Sequence, residues 1–132
     1  MKILVVEDEF MVAMTLKALL KKQGHDVVGI ADDVVSAVNE AERAQPQLAF
    51  VDIQLANGSS GLDAAAELQK NGVICIFLTG NPPDGPRPDL ALGCLPKPFS
   101  DRLLAGSVKI AEAVIEGLPL PAAPPGLELY RH

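Results

Sequence analysis

The chain has 132 residues, of which 48% are hydrophobic, and its formal net charge is -6 at pH 7. This length and apolar content suit one compact domain with a hydrophobic core. Because the acidic balance repels phosphate backbones and anionic membranes, and no apolar run reaches the roughly 18 residues of a membrane-spanning helix, we expect neither nucleic acid nor membrane as a partner.

Apolar runs alternate with stretches of helical spacing along most of the chain. In chain order they predict a strand at residues 2–6, a helix at 11–23, a strand at 26–31, a helix at 34–45, a strand at 48–52, a helix at 61–70, strands at 73–79 and 91–95, and a helix at 101–116. Strict alternation of strands and helices indicates an α/β domain with a doubly wound parallel sheet and right-handed crossovers. The third strand is apolar on both faces, which is typical of a central strand.

Two segments depart from this alternation. Residues 80–90 contain four prolines and two glycines, leaving room for at most one helical turn, so the fourth crossover helix is expected to be missing or vestigial. Residues 117–132 are also rich in proline, and we expect them to form an extended tail outside the folded domain of residues 1–116.

Polar side chains stand at the ends of four predicted strands. Glu7 and Asp8 follow the first, Asp52 ends the third, Thr79 ends the fourth and Lys97 follows the fifth. If the strand order is 2-1-3-4-5, the first and third strands flank the topological switch point, where such sheets bind ligands. The acids would then share one cleft with a hydroxyl and an ammonium group.

Each of these residues also has an ordinary structural interpretation. Asp52 could begin a turn, the acids at residues 7–9 could complement a helix dipole, and Lys97 could be a solvated loop charge. It is their joint occurrence at successive strand ends that favours a functional site.

Converging carboxylates predict a bound cation. Like charges repel, so the acids need a positive partner to remain ionised together. Oxygen ligands without His or Cys favour Mg²⁺. A carboxylate beside Mg²⁺ can attack phosphorus, while Lys97 and Thr79 would neutralise charge on the phosphoryl oxygens.

Over residues 1–116 the chain resembles the receiver domains of response regulators, whose fold is flavodoxin-like and five-stranded. The resemblance rests on four motifs: Val5-Val6-Glu7-Asp8-Glu9, Val51-Asp52-Ile53, Leu78-Thr79-Gly80 and Lys97-Pro98-Phe99. It implies phosphotransfer to Asp52 from a sensor histidine kinase or a histidine phosphotransfer protein. It also implies Mg²⁺ held by Asp8, Asp52 and the main-chain carbonyl of Gln54, with Glu7 acting through water.

The chain departs from the family pattern in two places. Most receivers carry Tyr or Phe three residues before the lysine, where this chain has Cys94. The Pro-rich segment after Thr79 resembles the FAT-GUY receivers of alphaproteobacteria. Because only residues 117–132 follow the last helix, we expect a stand-alone receiver that signals by a phosphorylation-dependent conformational change and contact with a downstream protein target. The alternative is a phosphate sink or relay intermediate with no output of its own.

Other classes of protein fit the motifs less well. A haloacid-dehalogenase-like phosphatase needs a second Asp where this chain has Gln54, and an FMN-binding flavodoxin would be repelled by the acids at residues 7–9. A pseudo-receiver would have lost a site residue. The chain is therefore expected to be a phospho-accepting signalling domain rather than an enzyme, and to be monomeric.

Two further predictions concern partners and location. Phe10 and Met14 project away from the apolar stripe of the first helix, close to the acids, which suggests a docking surface for a partner's helices. Cys75 and Cys94 match neither a metal site nor a disulfide framework, and no signal-peptide pattern is visible. We therefore expect a cytoplasmic protein.

Overall fold

The protein is described by a computed structural model that covers residues 1–55, 58–80 and 85–130. The helices in these residues are α1 (Phe10–Lys22), α2 (Val34–Ala44), α3 (Gly61–Lys70) and α4 (Asp101–Glu116). The strands are β1 (Lys2–Val6), β2 (Asp26–Ala31), β3 (Leu48–Asp52), β4 (Ile74–Thr79), β5 (Gly93–Pro96) and β6 (Glu128–Leu129).

All six strands form one sheet in the order β2-β1-β3-β4-β5-β6. The first five are parallel to their neighbours, which confirms the predicted flavodoxin-like fold and the order 2-1-3-4-5. Consequently β1 and β3 are adjacent, and the carboxyl ends of β1, β3, β4 and β5 lie at one edge of the sheet.

The sheet has a hydrophobic core on each face. Side chains alternate along β3, so that Ala49 and Val51 pack with α2 and α3, whereas Leu48 and Phe50 pack with α1 and α4. All four are fully buried. This arrangement fixes β3 between two cores and holds its carboxyl end in a defined position.

Polar residues fix where three of the helices begin. Asp33 and Ser36 form a reciprocal capping box at the start of α2, and Ser60 accepts the Leu62 N–H at the start of α3. Ser100 caps α4, accepting the Leu103 N–H at 3.2 Å.

The crossover between β4 and β5 contains no full helix within its described part. Residues 81–84 lie outside the described residues. Beyond them the backbone makes a single turn, in which the N–H groups of Leu90 and Ala91 donate to the Arg87 carbonyl at 3.0 and 3.1 Å. Residues 85–92 therefore agree with the prediction of at most one helical turn.

The Pro-rich tail is not outside the fold, and this prediction was wrong. Strand β6 pairs antiparallel with β5, and the Tyr130 N–H donates to the Leu92 carbonyl at 2.8 Å. The side chains of Leu127 and Tyr130 are buried. The tail joins the sheet because β5 would otherwise expose an unpaired edge and an apolar surface.

Smaller differences concern element ends and one helix face. Strand β5 begins two residues later than predicted, and α1 begins at Phe10 rather than Met11. The buried face of α1 includes Ala13, whereas Val12 is only half-buried. Among the described residues, no helix has the length and apolar character needed to cross a membrane.

Candidate phosphoryl-accepting site

Four strand ends meet in an open cleft. Glu7 follows β1, Asp52 ends β3, Thr79 ends β4 and Lys97 follows β5. The cleft has a volume of about 460 Å³. It is lined by Asp8, Glu9, Asp52, Gln54, Leu55, Thr79, Gly80 and Lys97.

Lys97 lies at the centre of the charged groups. Its ammonium Nζ donates to Glu7 Oε1 at 3.0 Å, to Asp52 Oδ2 at 3.1 Å and to Glu9 Oε1 at 3.3 Å. Burial by itself lowers the pKa of this ammonium, but the bonds to Glu7 and Asp52 outweigh burial and raise the pKa above its usual value. Lys97 is therefore a fixed positive charge beside Asp52.

Glu7, Asp8 and Asp52 form an acid cluster in which one oxygen from each carboxylate lies within 4.8 Å of the others. Glu7 is only 2% exposed. Its burial, followed by its proximity to Asp52, raises its pKa to about 7, although the Glu9 N–H and Lys97 act in the opposite direction. The cluster therefore offers three closely spaced carboxyl groups as oxygen donors, an arrangement that suits a hard cation such as Mg²⁺.

Asp52 is buried, with 4% of its surface exposed, and both of its carboxylate oxygens are engaged. Oδ1 accepts the Gln54 N–H at 3.0 Å, and Oδ2 accepts from Lys97. These two contacts orient the carboxylate toward the cleft that Gln54 and Lys97 also line.

Gly61 allows the chain to turn tightly behind Asp52. Its N–H donates to the Ile53 carbonyl at 2.7 Å, and a Cβ at this position would lie 2.0 Å from the Asp52 carbonyl oxygen. A side chain at position 61 would therefore push the start of α3 away from the end of β3.

The structure brings the predicted residues Glu7, Asp8, Asp52, Thr79 and Lys97 together at one edge of the sheet. Gln54 also lines the cleft. The predicted docking residues lie apart on α1, where Phe10 is exposed and Met14 is half-buried.

Sequence reasoning did not assign a role to Glu9 or Gly61. Glu9 follows the predicted acid pair directly, so its contact with Lys97 could have been suspected from position alone. Nothing in the sequence singles out Gly61, because its close contact with Asp52 depends on the path of the loop between them.

A sequence profile of the response regulator receiver domain matches residues 3–109. The chain belongs to this family. Receiver domains are signalling modules rather than a family of catalytic enzymes, and they generally bind Mg²⁺ at an acidic pocket. In this structure Glu7, Asp8 and Asp52 form an acidic cluster.

Individual relatives support the same assignment. The chain is 46% identical over 103 residues to the phyllosphere-induced regulator PhyR of Methylorubrum extorquens, covering 74% of this chain and 38% of that protein. It is 30% identical over 115 residues to the transcriptional regulatory protein PdtaR of Mycobacterium tuberculosis, covering 83% of this chain and 56% of the relative. The chain therefore spans less than two thirds of the length of either protein.

A solved structure agrees with the fold. The solution structure of the PhyR receiver domain from Erythrobacter litoralis superposes with a TM-score of 0.75 at 32% identity, covering 93% of this receiver and 95% of that domain. The matches to PhyR support the expected relationship to alphaproteobacterial receivers.

Proposed function

We propose that this receiver accepts a phosphoryl group on Asp52 from the phosphohistidine of a sensor histidine kinase or a histidine phosphotransfer protein. The observation that carries the proposal is the setting of Asp52. It is a buried carboxylate at the end of a central strand, it is bonded to Lys97, and it lies within an acid cluster.

The proposed reaction is a displacement at phosphorus. A carboxylate oxygen of Asp52 attacks the phosphorus atom, the phosphorus–nitrogen bond of the donor breaks, and the imidazole nitrogen keeps the electron pair and is released as the leaving group. Lys97 transfers its hydrogen bond from Asp52 Oδ2 to a phosphoryl oxygen, and the Thr79 hydroxyl, at the end of β4, binds another. The main product is an aspartyl phosphate.

The same acids would hold Mg²⁺. Asp8, Asp52 and the main-chain carbonyl of Gln54 are the proposed ligands, and Glu7 acts through water. The fit rests on an all-oxygen donor set, in which one oxygen from each of three carboxyl groups lies within 4.8 Å of the others. When bound, the ion supplies charge that offsets the phosphoryl oxygens.

We further propose that the donor docks on the exposed side of α1. Phe10 and Met11 are 70% and 73% exposed, and as sequence neighbours they present two large apolar side chains on one stretch of α1. Met11 lines an apolar groove of about 220 Å³ together with Phe99 and Lys97. The groove thus leads from the exposed face of α1 to the lysine that contacts Asp52. Phe10 and Met14, also on α1, line a second pocket together with Glu7 and Asp8.

Phosphorylation is proposed to act through a conformational change that alters contact with a downstream protein. The alternative, a phosphate sink or relay intermediate, would use the same chemistry at Asp52 without any output. A haloacid-dehalogenase-like phosphatase is disfavoured because Gln54 replaces the second acid that such an enzyme needs.

The test is labelling with acetyl phosphate and Mg²⁺, followed by intact mass measurement. Wild type should gain one phosphoryl group and the Asp52→Asn variant none. The matched control is Asp63→Asn, which changes an exposed acid in the first turn of α3 and should leave labelling unchanged. Labelling of Asp52→Asn to the wild-type level would overturn the proposal.

A further inference from the structure

The chain after α4 runs back across the domain and ends in β6. We call residues 118–130 the C-terminal strap. Its last residues straddle the edge of the sheet, because Leu127 packs in the core shared with α1 and α4, whereas Tyr130 packs in the core shared with α2 and α3. The strap therefore contacts both faces of the sheet at β5.

Two glycines leave space for the strap. A Cβ on Gly93 of β5 would lie 2.1 Å from the Glu128 carbonyl oxygen, and a Cβ on Gly106 of α4 would lie 2.6 Å from Pro124 Cγ. Neither glycine has a positive φ, so conformation does not require glycine at these positions. Both positions are thus suited to the passage of the strap.

The strap contacts β4, which ends at Thr79, and β5, which directly precedes Lys97. The Tyr130 ring packs against Phe77 with 6.3 Å between ring centroids, and Phe77 precedes Thr79 by two residues on the same face of β4. On β5, Cys94 pairs with Glu128 of the strap, two residues before Tyr130. The Lys97 N–H donates to the Thr79 carbonyl at 3.0 Å, which links the ends of the two strands.

The strap is anchored mainly near its end, by Leu127, Tyr130 and β6. Strand β6 has two residues, and the preceding Leu118 and Leu120 are 55% and 42% exposed. The buried Tyr130 hydroxyl has no oxygen or nitrogen partner among the described residues. Segments with so few anchoring contacts open more readily than the rest of a fold.

We propose that the strap is the phosphorylation-responsive element of this receiver. It remains seated on β5 while Asp52 is unmodified, and it is released when a phosphoryl group occupies the site. The proposal rests on the proposed function of Asp52. A phosphoryl group draws Lys97 and Thr79 toward itself, and this movement displaces Cys94 and Phe77, which the strap contacts. Release then leaves the β5 edge bare and the strap free.

Coupling of this kind is reciprocal. If a phosphoryl mimic at the site shifts the strap toward its released state by some factor, releasing the strap by mutation must raise the affinity for the mimic by the same factor. For ordinary allosteric coupling this factor is on the order of fivefold or more. A purely structural tail would show neither effect.

The strap carries its own reporter, since the chain has one tyrosine and no tryptophan. In full-length protein, quenching of tyrosine fluorescence by acrylamide should be weak. Adding Mg²⁺ and beryllofluoride, a phosphoryl mimic, should raise the quenching constant toward that of the urea-unfolded chain. Binding of the mimic is followed separately by ¹⁹F NMR.

Two full-length variants complete the test. Gly93→Ala places a methyl group against Glu128, so Tyr130 should be quenched readily without the mimic, and the affinity for the mimic should rise about fivefold or more. The control is Leu118→Ser, which changes an exposed strap residue and should behave as wild type.

The outcomes separate the two proposals. Absence of a bound ¹⁹F signal in wild type would overturn the proposed function and the strap proposal with it. A bound mimic with unchanged Tyr130 quenching would overturn the strap proposal alone. Unchanged mimic affinity in a folded Gly93→Ala protein whose Tyr130 is exposed would also overturn it.

Discussion

Replacing Glu7 by Gln should stabilise this receiver at neutral pH in the absence of Mg²⁺. Glu7 is buried, and its pKa is raised from 4.5 to about 7, first by burial and then by the neighbouring Asp52. When folding raises the pKa of an acid, the protonated form of that acid stabilises the folded state. This stabilisation is complete below the pKa of the unfolded state, and it is lost as the pH rises through the pKa of the folded state. For Glu7 the window runs from about pH 4.5 to about pH 7.

The size of the effect follows from this shift. Each pKa unit corresponds to about 1.4 kcal/mol, so ionising Glu7 in the folded state costs on the order of 3 kcal/mol. Glu7 accepts from Lys97 at Oε1 and from the Glu9 N–H at Oε2. Gln cannot ionise, and its single carbonyl oxygen can keep one of these two hydrogen bonds. The variant should therefore match wild type near pH 4.5 and exceed its stability by about 3 kcal/mol at pH 8.

Urea unfolding at several pH values, with EDTA or with Mg²⁺, measures this difference. Glu42→Gln is the matched control, because it removes an exposed acid from α2 and should follow wild type throughout. Mg²⁺ should raise the free energy of unfolding of the wild-type protein at pH 8, because it offsets the charge of the acid cluster. It should stabilise Glu7→Gln less. A parallel pH dependence of stability in wild type and Glu7→Gln would refute the raised pKa of Glu7.

Three further predictions concern Gly61, the two cysteines and Phe10. Gly61→Ala should cost about 1–3 kcal/mol of stability in urea unfolding and slow phosphorylation, because its methyl group would meet the Asp52 backbone; wild-type stability would contradict the proposed tight packing. Burial raises the pKa of the Cys75 thiol to about 12 and that of Cys94 to about 11, so iodoacetamide at pH 8 should modify neither in folded protein and both in urea; rapid labelling of folded protein would contradict their burial. Phe10→Ser should slow phosphotransfer from the cognate kinase while leaving labelling by acetyl phosphate unchanged, and equal loss in both assays would indicate misfolding instead.

The sheet and its site could be predicted because both have local signals. Apolar runs ending in Asp52 or Thr79 mark strands, and parallel strands bring their carboxyl ends to a common edge. The position of Lys97 among the acids follows from strand order, which alternation of strands and helices already restricts. The three simultaneous hydrogen bonds of Lys97 could not be predicted from the sequence, because they depend on side-chain geometry.

The C-terminal strand could not be predicted for a physical reason. Its two residues are too few to show alternation, and the prolines before it indicate an extended chain without indicating where that chain goes. The need for glycine at positions 93 and 106 cannot be seen in the sequence, because it arises from the close packing of Glu128 and Pro124 in the folded chain. Burial of Tyr130 is likewise a tertiary effect, produced by the exposed edge of β5 and the space beside Phe77.

The most direct test of the central claim is to locate the phosphoryl group. After incubation with acetyl phosphate and Mg²⁺, reduction with sodium borohydride converts an aspartyl phosphate into homoserine, which peptide mass spectrometry assigns to a position. We expect homoserine at position 52 and unmodified acids at Glu7 and Asp8. Modification at Asp8, or a stable phosphate on a residue outside the cleft, would contradict this expectation.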